Sequence, residues 1–179
     1  MRRLDWDVYF RVLMVVIGVT ASSICWLQTG NQQLQAQNEN GDKEQVAKIE
    51  SILSAQAGHW NKKDIDGFMQ TYWQSEDLTF SAGGKTTRGW QATLDRYKKK
   101  YPPEKMGELT FDHLETTLLS PSSALVLGQW HLKFPPSAQA DEANAKTRAD
   151  GNFSLVLRKL ESGWKIIHDH SSSLEPPAQ

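Results

Sequence analysis

Gly163-Trp164-Lys165-Ile166-Ile167-His168-Asp169-His170-Ser171-Ser172 is the stretch from which the rest of the chain is read. An apolar start running into a polar end marks a strand, and strand side chains alternate between the two faces of a sheet. Strict alternation puts Trp164, Ile166, His168 and His170 on one face, and Lys165, Ile167, Asp169 and Ser171 on the other. A face that passes from Trp and Ile to two imidazoles belongs to a strand that begins in a core and ends at the rim of a cavity. At most one of two sets, the histidine pair or Asp169, can then point into that cavity.

Upstream of this strand lie three more β-rich runs, Gly107 to Leu119, Ala124 to Phe134 and Asn152 to Leu160, with turn signals at Ser120-Pro121-Ser122 and Glu161-Ser162-Gly163. They predict an antiparallel meander, interrupted by a long polar surface loop from Pro135 to Asp150. Before the meander the apolar spacing is helical. Val46, Ile49, Leu53 and Trp60 form the stripe of a first helix beginning near Glu44. Asp64 is placed to cap a short second helix carrying Ile65, Phe68, Met69 and Tyr72. Trp90, Leu94, Tyr97 and Tyr101 define a third helix that Pro102-Pro103 cannot continue. Between the second and third, Leu78 to Arg88 reads as a hairpin closed at Gly83-Gly84. Three helices followed by a long meander is an α+β order, with helices on one face of the sheet. The basic cluster Arg96, Lys98, Lys99 and Lys100 reads as the solvated side of the third helix.

The runs Ala124 to Leu127 and Phe153 to Leu157 put apolar side chains on both strand faces, so the face away from the helices is expected to meet a second copy of the chain. A composition of 39% hydrophobic and 23% charged residues suits one globular domain, and a net charge of −1 gives no pull toward nucleic acid or an anionic membrane surface.

Arg2, Arg3 and Arg11 precede the apolar run Val12 to Val19 and the small residues Thr20 to Ser23, the layout of an export signal. Residues 1–27 are therefore expected to be either a cleaved signal peptide or a retained membrane anchor, and the mature protein to be extracytoplasmic, periplasmic or secreted. An anchor would be its sole contact with a membrane. Residues 28–43, rich in Gln and Asn without apolar periodicity, read as a disordered linker, 44–173 as the folded domain and 174–179 as a flexible tail. The single cysteine, Cys25, falls in the targeting segment, so the domain holds itself together by packing without a disulfide.

Trp60-Asn61, Asp64 to Met69, Asp77 to Phe80, Arg88-Gly89-Trp90, Ala124 to Trp130, Gly151 to Val156 and Gly163 to Ser172, taken in order, resemble the SnoaL-like, nuclear-transport-factor-2-like superfamily, and within it a bacterial family of largely uncharacterised members. The last segment is also similar to the end of the calcium/calmodulin-dependent kinase association domain. The resemblance implies a cone-shaped, cystatin-like α+β fold, in which three N-terminal helices pack on a curved antiparallel sheet that leaves a pocket open at one end, and it implies dimers formed through the outer sheet face. The superfamily contains isomerases, cyclases, dehydratases, transport adaptors and oligomerisation hubs, so fold alone does not name an activity.

The candidate pocket residues are Tyr72, Trp90, Tyr97, Trp130, His168 and His170, with His168 and His170 also the candidate acid–base groups because imidazoles titrate near neutral pH. The two histidines lack the carboxylate or cysteine spacing of a metal centre, and neither a phosphate-binding loop nor a dinucleotide fingerprint is present, so no metal and no cofactor is expected. Two functions fit: an exported, dimeric domain that binds a small apolar or acidic molecule, and a cofactor-independent isomerase, cyclase or dehydratase that uses a pocket histidine and a tyrosine.

Overall fold

A computed structural model describes residues 35–134 and 148–174. The chain divides into two compact units, Met1–Glu44 and Gln45–Gln179. The export segment, most of the linker, the core of the Pro135–Asp150 loop and the end of the tail lie outside the described residues. Among the described residues no helix is long and apolar enough to cross a membrane.

Helix α1 covers residues 35–61. It therefore includes 35–43, which the composition assigned to the linker. Gln, Ala, Glu and Lys are good helix formers, and extending a helix already nucleated by a packed segment adds one hydrogen bond per residue fixed. The buried stripe of α1 within the second unit is Ile49, Leu53, Gln56 and Trp60. Helix α2 (Ile65–Met69) begins at Asp64, whose Oδ1 accepts from Gly67 N at 2.8 Å. Helix α3 (Trp90–Lys100) follows the hairpin of β1 (Thr79–Ala82) and β2 (Lys85–Arg88), where Gly83 and Gly84 both take positive φ.

The remaining strands are β3 (Glu108–Ser120), β4 (Ser123–Lys133), β5 (Arg148–Leu160) and β6 (Gly163–Ser173). The six-stranded curved sheet has the order β2-β1-β6-β5-β4-β3, with every pair antiparallel except β1 beside β6. The meander is thus as expected, but β5 starts at Arg148, so the loop before it is shorter at its C-terminal end than the sequence indicated.

One irregularity positions the site. Along the β5–β6 pairing Leu157 faces Ile166 and Val156 faces His168, which leaves Ile167 as an extra residue on β6. A one-residue bulge of this kind turns the following side chains to the opposite face. Trp164 and Ile166 are buried before it and Asp169 is buried after it, whereas His168 is half-buried and His170 exposed. Strict alternation, which grouped the two histidines with Trp164 and Ile166, breaks at Ile167.

The bulge falls where the neighbour of β6 changes. Residues after α2 run beside its first half, with Ile166 N donating to Thr71 O at 3.0 Å and Trp73 N to Ile166 O at 2.9 Å. From His168 onward β6 pairs with β1, beginning at Thr79. Asn61 fastens the end of α1 to β3: its side chain accepts from Leu109 N at 2.7 Å and donates to Leu109 O at 2.9 Å, as a neighbouring strand would.

Candidate ligand-binding site

The concave side of the sheet and the three helices enclose a cavity of about 210 Å³. Its walls are aromatic. Trp60 of α1 meets Phe68 of α2 edge-on at 5.3 Å and Tyr101 at 4.8 Å, and Tyr97 of α3 lies 5.2 Å from Phe68 and 5.3 Å from Phe80 of β1. Phe111 and Phe153, edge to face at 5.3 Å, close the side formed by β3 and β5. Edge-on and tilted pairs suit the ring quadrupoles and leave flat apolar surfaces turned toward the space between them.

Asp169 is the acidic group in this lining, and it is 4% exposed. Tyr72 Oη donates to Asp169 Oδ2 at 2.7 Å, and Ser171 Oγ donates to Asp169 Oδ1 at 3.1 Å. Tyr72 can reach it because its backbone bridges Ile166, upstream of the bulge, and its ring extends along β6 to the first inward side chain beyond. Burial pushes the Asp169 carboxyl up to about 6, against the opposing pull of the Tyr72 and Ser171 hydrogen bonds and the nearby His170. The Tyr72 and Tyr97 hydroxyls are held protonated well above the usual phenol range, by burial first and then by the Asp169 charge. A carboxyl that titrates near neutrality and two protonated phenols make a set able to take or give a proton and to donate hydrogen bonds. Among the described residues no group of three His, Cys, Asp or Glu side chains could hold a metal ion.

Of the residues named from sequence, Tyr72, Tyr97 and Trp130 line this cavity, and Trp90, His168 and His170 do not. Trp90 packs against the core and donates its indole N–H to Met69 O at 2.9 Å, bracing the start of α3 against α2. His168 Nδ1 lies 2.6 Å from Thr79 Oγ1, and desolvation followed by the charge of His170 lowers its pKa below the ordinary value. His170 borders a separate, open depression with His113, Leu127, Gln129 and Asn152. The indole of Trp130 lies over Gly151, and its buried N–H has no hydrogen-bond partner among the described residues.

Sequence reasoning did not select Gln56 or Arg96, and it left Asp169 open as the alternative to the histidine pair. Gln56 is buried on α1 and donates to Thr71 Oγ1 at 2.6 Å. A signal for Asp169 existed in the adjacent apolar pair Ile166-Ile167, which breaks a two-residue period and marks a change of phase.

A curved sheet of this order with helices on its concave side, and a cavity floored by a carboxyl, defines a domain of the nuclear-transport-factor-2-like, cystatin-like kind. The chain belongs to the SnoaL-like domain family, whose model matches residues 49–176. It is similar to an NTF-2 like protein of unknown function from Shewanella oneidensis MR-1, at 39% identity and a TM-score of 0.62 over 71% of this chain and 98% of that one. At 22% identity it shares its fold with a ketosteroid isomerase-like protein from Erwinia carotovora atroseptica SCRI1043, TM-score 0.59, over 74% of this chain and 98% of that one. At 11% identity it shares its fold with a putative scytalone dehydratase from Novosphingobium aromaticivorans DSM 12444, TM-score 0.63, over 76% and 88% of the two chains. No curated protein matches the chain.

Proposed function

We propose that the domain binds a small molecule with a flat apolar body, stacked among Trp60, Phe68, Phe80 and Tyr97, whose polar group meets Asp169 and the tyrosines. The observation that carries this reading is a carboxyl 4% exposed that nevertheless lines an aromatic cavity instead of being walled off in the core. The test is a thermal-shift and calorimetric screen of small aromatic and alicyclic compounds on wild type and Asp169→Asn. Hits whose affinity changes in the variant support the reading, and an absence of any hit on wild type sinks it.

A second reading is cofactor-independent isomerisation or dehydration, and the Asp169 pKa of about 6 favours it. In it Asp169 replaces the histidine expected from sequence: the carboxylate takes a proton from a carbon beside a carbonyl of the bound molecule while the Tyr97 hydroxyl donates to the carbonyl oxygen. The protonated Asp169 then returns that proton either to another carbon, which completes isomerisation, or to a β-hydroxyl that leaves as water, which completes dehydration. Turnover of an enone or hydroxyketone screen by wild type, and its loss in Asp169→Asn, would establish this in place of simple binding.

The reading includes export and dimerisation. Export rests on the arginines and apolar run of residues 2–19, and cell fractionation tests it. Dimerisation rests on the outer sheet face, where Leu127 is 43% and Leu119 58% exposed. Light scattering that returned a clean monomer at micromolar concentration would reject it.

A further inference from the structure

The cavity is apolar in its walls and acidic at its floor, yet it also receives two cations. Arg96 and Lys100, one turn apart on α3, both line it. The Arg96 guanidinium is fixed by Nη1 donating to Thr87 Oγ1 at 2.8 Å, by Nη2 donating to Ala82 O at 3.2 Å and by stacking 4.8 Å over the Phe80 ring. All of these partners are uncharged. Lys100 Nζ rests 5.0 Å from the Tyr101 ring centroid. Among the described residues neither cation makes an ion pair, whereas Lys98 on the same helix is bound to Asp66 at 2.8 Å. Arg96 is half-buried and Lys100 exposed, so Arg96, with less water around it, is the cation that gains most from an anionic partner in the cavity. Asp169 is not that partner: its oxygens accept from Tyr72 and Ser171.

Strand register brings the two ends of the lining together. Asp169 pairs with Phe80, whose ring carries the Arg96 guanidinium, and Ser171 pairs with Ala82, whose carbonyl holds it. A ligand in the cavity can therefore meet a cation at one end and the carboxyl at the other. The volume suits a single ring, because an apolar cavity of about 150 Å³ takes up benzene and this one, at about 210 Å³, leaves room for short substituents.

We infer that the ligand is a single-ring carboxylate, with its carboxylate against Arg96 and Lys100 and the other end of its ring directed to Asp169 and Tyr72. The planar guanidinium fork suits a carboxylate better than a lone ammonium would, and its stacking on Phe80 holds it in place before the ligand arrives. This rests on the binding reading above and adds to it the ligand's charge and size.

The probes are cinnamate and 4-hydroxycinnamate, each beside its uncharged primary amide, titrated calorimetrically into the full-length protein at pH 7.5. Both acids bind wild type about tenfold or more tighter than their amides, the difference expected from one or two hydrogen bonds to charged groups. Arg96→Gln and Lys100→Gln each weaken binding of the acid more than binding of its amide, so that the gap between the two narrows, and a cooperative thermal transition shows that the variants are folded. Equal affinity of acid and amide in wild type, or unchanged acid affinity in both variants, overturns the carboxylate inference while the binding reading stands. Binding of neither acids nor amides, with uncharged single-ring compounds from the screen binding normally, overturns the inference alone; no binding by any ring compound overturns both.

Discussion

The Tyr72 hydroxyl donates to Asp169 Oδ2 at 2.7 Å, joining the segment after the second helix to the last strand, 97 positions away in the chain. Both groups are buried, at 2% and 4% exposure, so each satisfies the other's polar need where water does not.

Replacing Tyr72 by Phe leaves Asp169 with a single donor in an apolar cavity. The expected loss of stability is about 1–3 kcal/mol, read as a lower denaturant midpoint at unchanged slope. Because the Tyr72 hydrogen bond pulls the Asp169 pKa down, the same variant moves that pKa further up. Carboxyl carbon NMR of Asp169 reports that shift directly, and an unmoved titration would show that the hydrogen bond does not form in solution.

Asp169 also gives the protein a characteristic pH dependence. Its folded pKa of about 6 lies above the ordinary 3.8, so between these values the folded state binds more protons than the unfolded chain. The stability contributed by the protonated group is fully present below pH 3.8 and is lost as pH rises through about 6. A shift of this size corresponds to roughly 2–3 kcal/mol. Asp112 and Asp150, whose pKa values are lowered by their histidine partners, act in the opposite sense at lower pH. The difference in melting temperature between Asp169→Asn and wild type should therefore move in favour of the variant from pH 4 to pH 7. A pH-independent difference would contradict the raised pKa.

The histidines should titrate in a definite order. His131 lies between Asp150, 2.5 Å from Nδ1, and Asp112, 3.0 Å from Nε2, and these acceptors, Asp150 foremost, raise its pKa above 6.5. His168 should titrate below 6.5, because desolvation and the neighbouring His170 disfavour its cation. Imidazole Cε1–H resonances followed from pH 5 to pH 8 give both midpoints, and the reverse order would refute the arrangement at one site or the other. The Asp112→Asn, Asp150→Asn double variant should bring His131 down while leaving His168 in place.

Gly151→Ala should be among the costly small substitutions. A methyl group there would collide with the Ser172 carbonyl oxygen of β6, which is backbone, and would lie 2.6 Å from Trp130 Cε2 and Cζ2. Backbone cannot step aside as a side-chain tip can, so β5 and β6 must separate locally at a cost of about 1–3 kcal/mol. Thermal denaturation should show a drop of several degrees. A melting temperature within a degree of wild type would mean that the strands are looser at Gly151 than they appear.

Much of the architecture was legible because it follows from periods. Ile49, Leu53 and Trp60 repeat at helical intervals and are buried on α1, and Asp64 caps α2 as its place in the sequence suggests. The four-strand meander follows from β-rich runs and their turns. The composition of the cavity was only partly legible. Tyr72, Tyr97 and Trp130 were among the candidate pocket residues and do line the cavity, whereas the placing of Asp169 depended on one bulge that interrupts the alternation on which the histidine reading relied. Arg96 was hidden for a different reason: on a helix rich in Lys it reads as solvated, and only its contacts with Phe80, Thr87 and the Ala82 carbonyl, all distant by helical spacing, turn it toward the cavity.

The unpaired Ile167 makes the chemistry of the pocket depend on strand pairing as much as on residue type. Were Ile167 to take a regular place in the ladder, plain alternation would carry the imidazoles of His168 and His170 inward and Asp169 outward without changing any of the three, whereas deleting Ile167 would remove the bulge and leave Asp169 inward. Two chains identical in this strand but differing in whether the bulge forms would thus present a carboxyl or a pair of imidazoles at the same floor, so sequence identity along the strand does not by itself say which group faces the ligand.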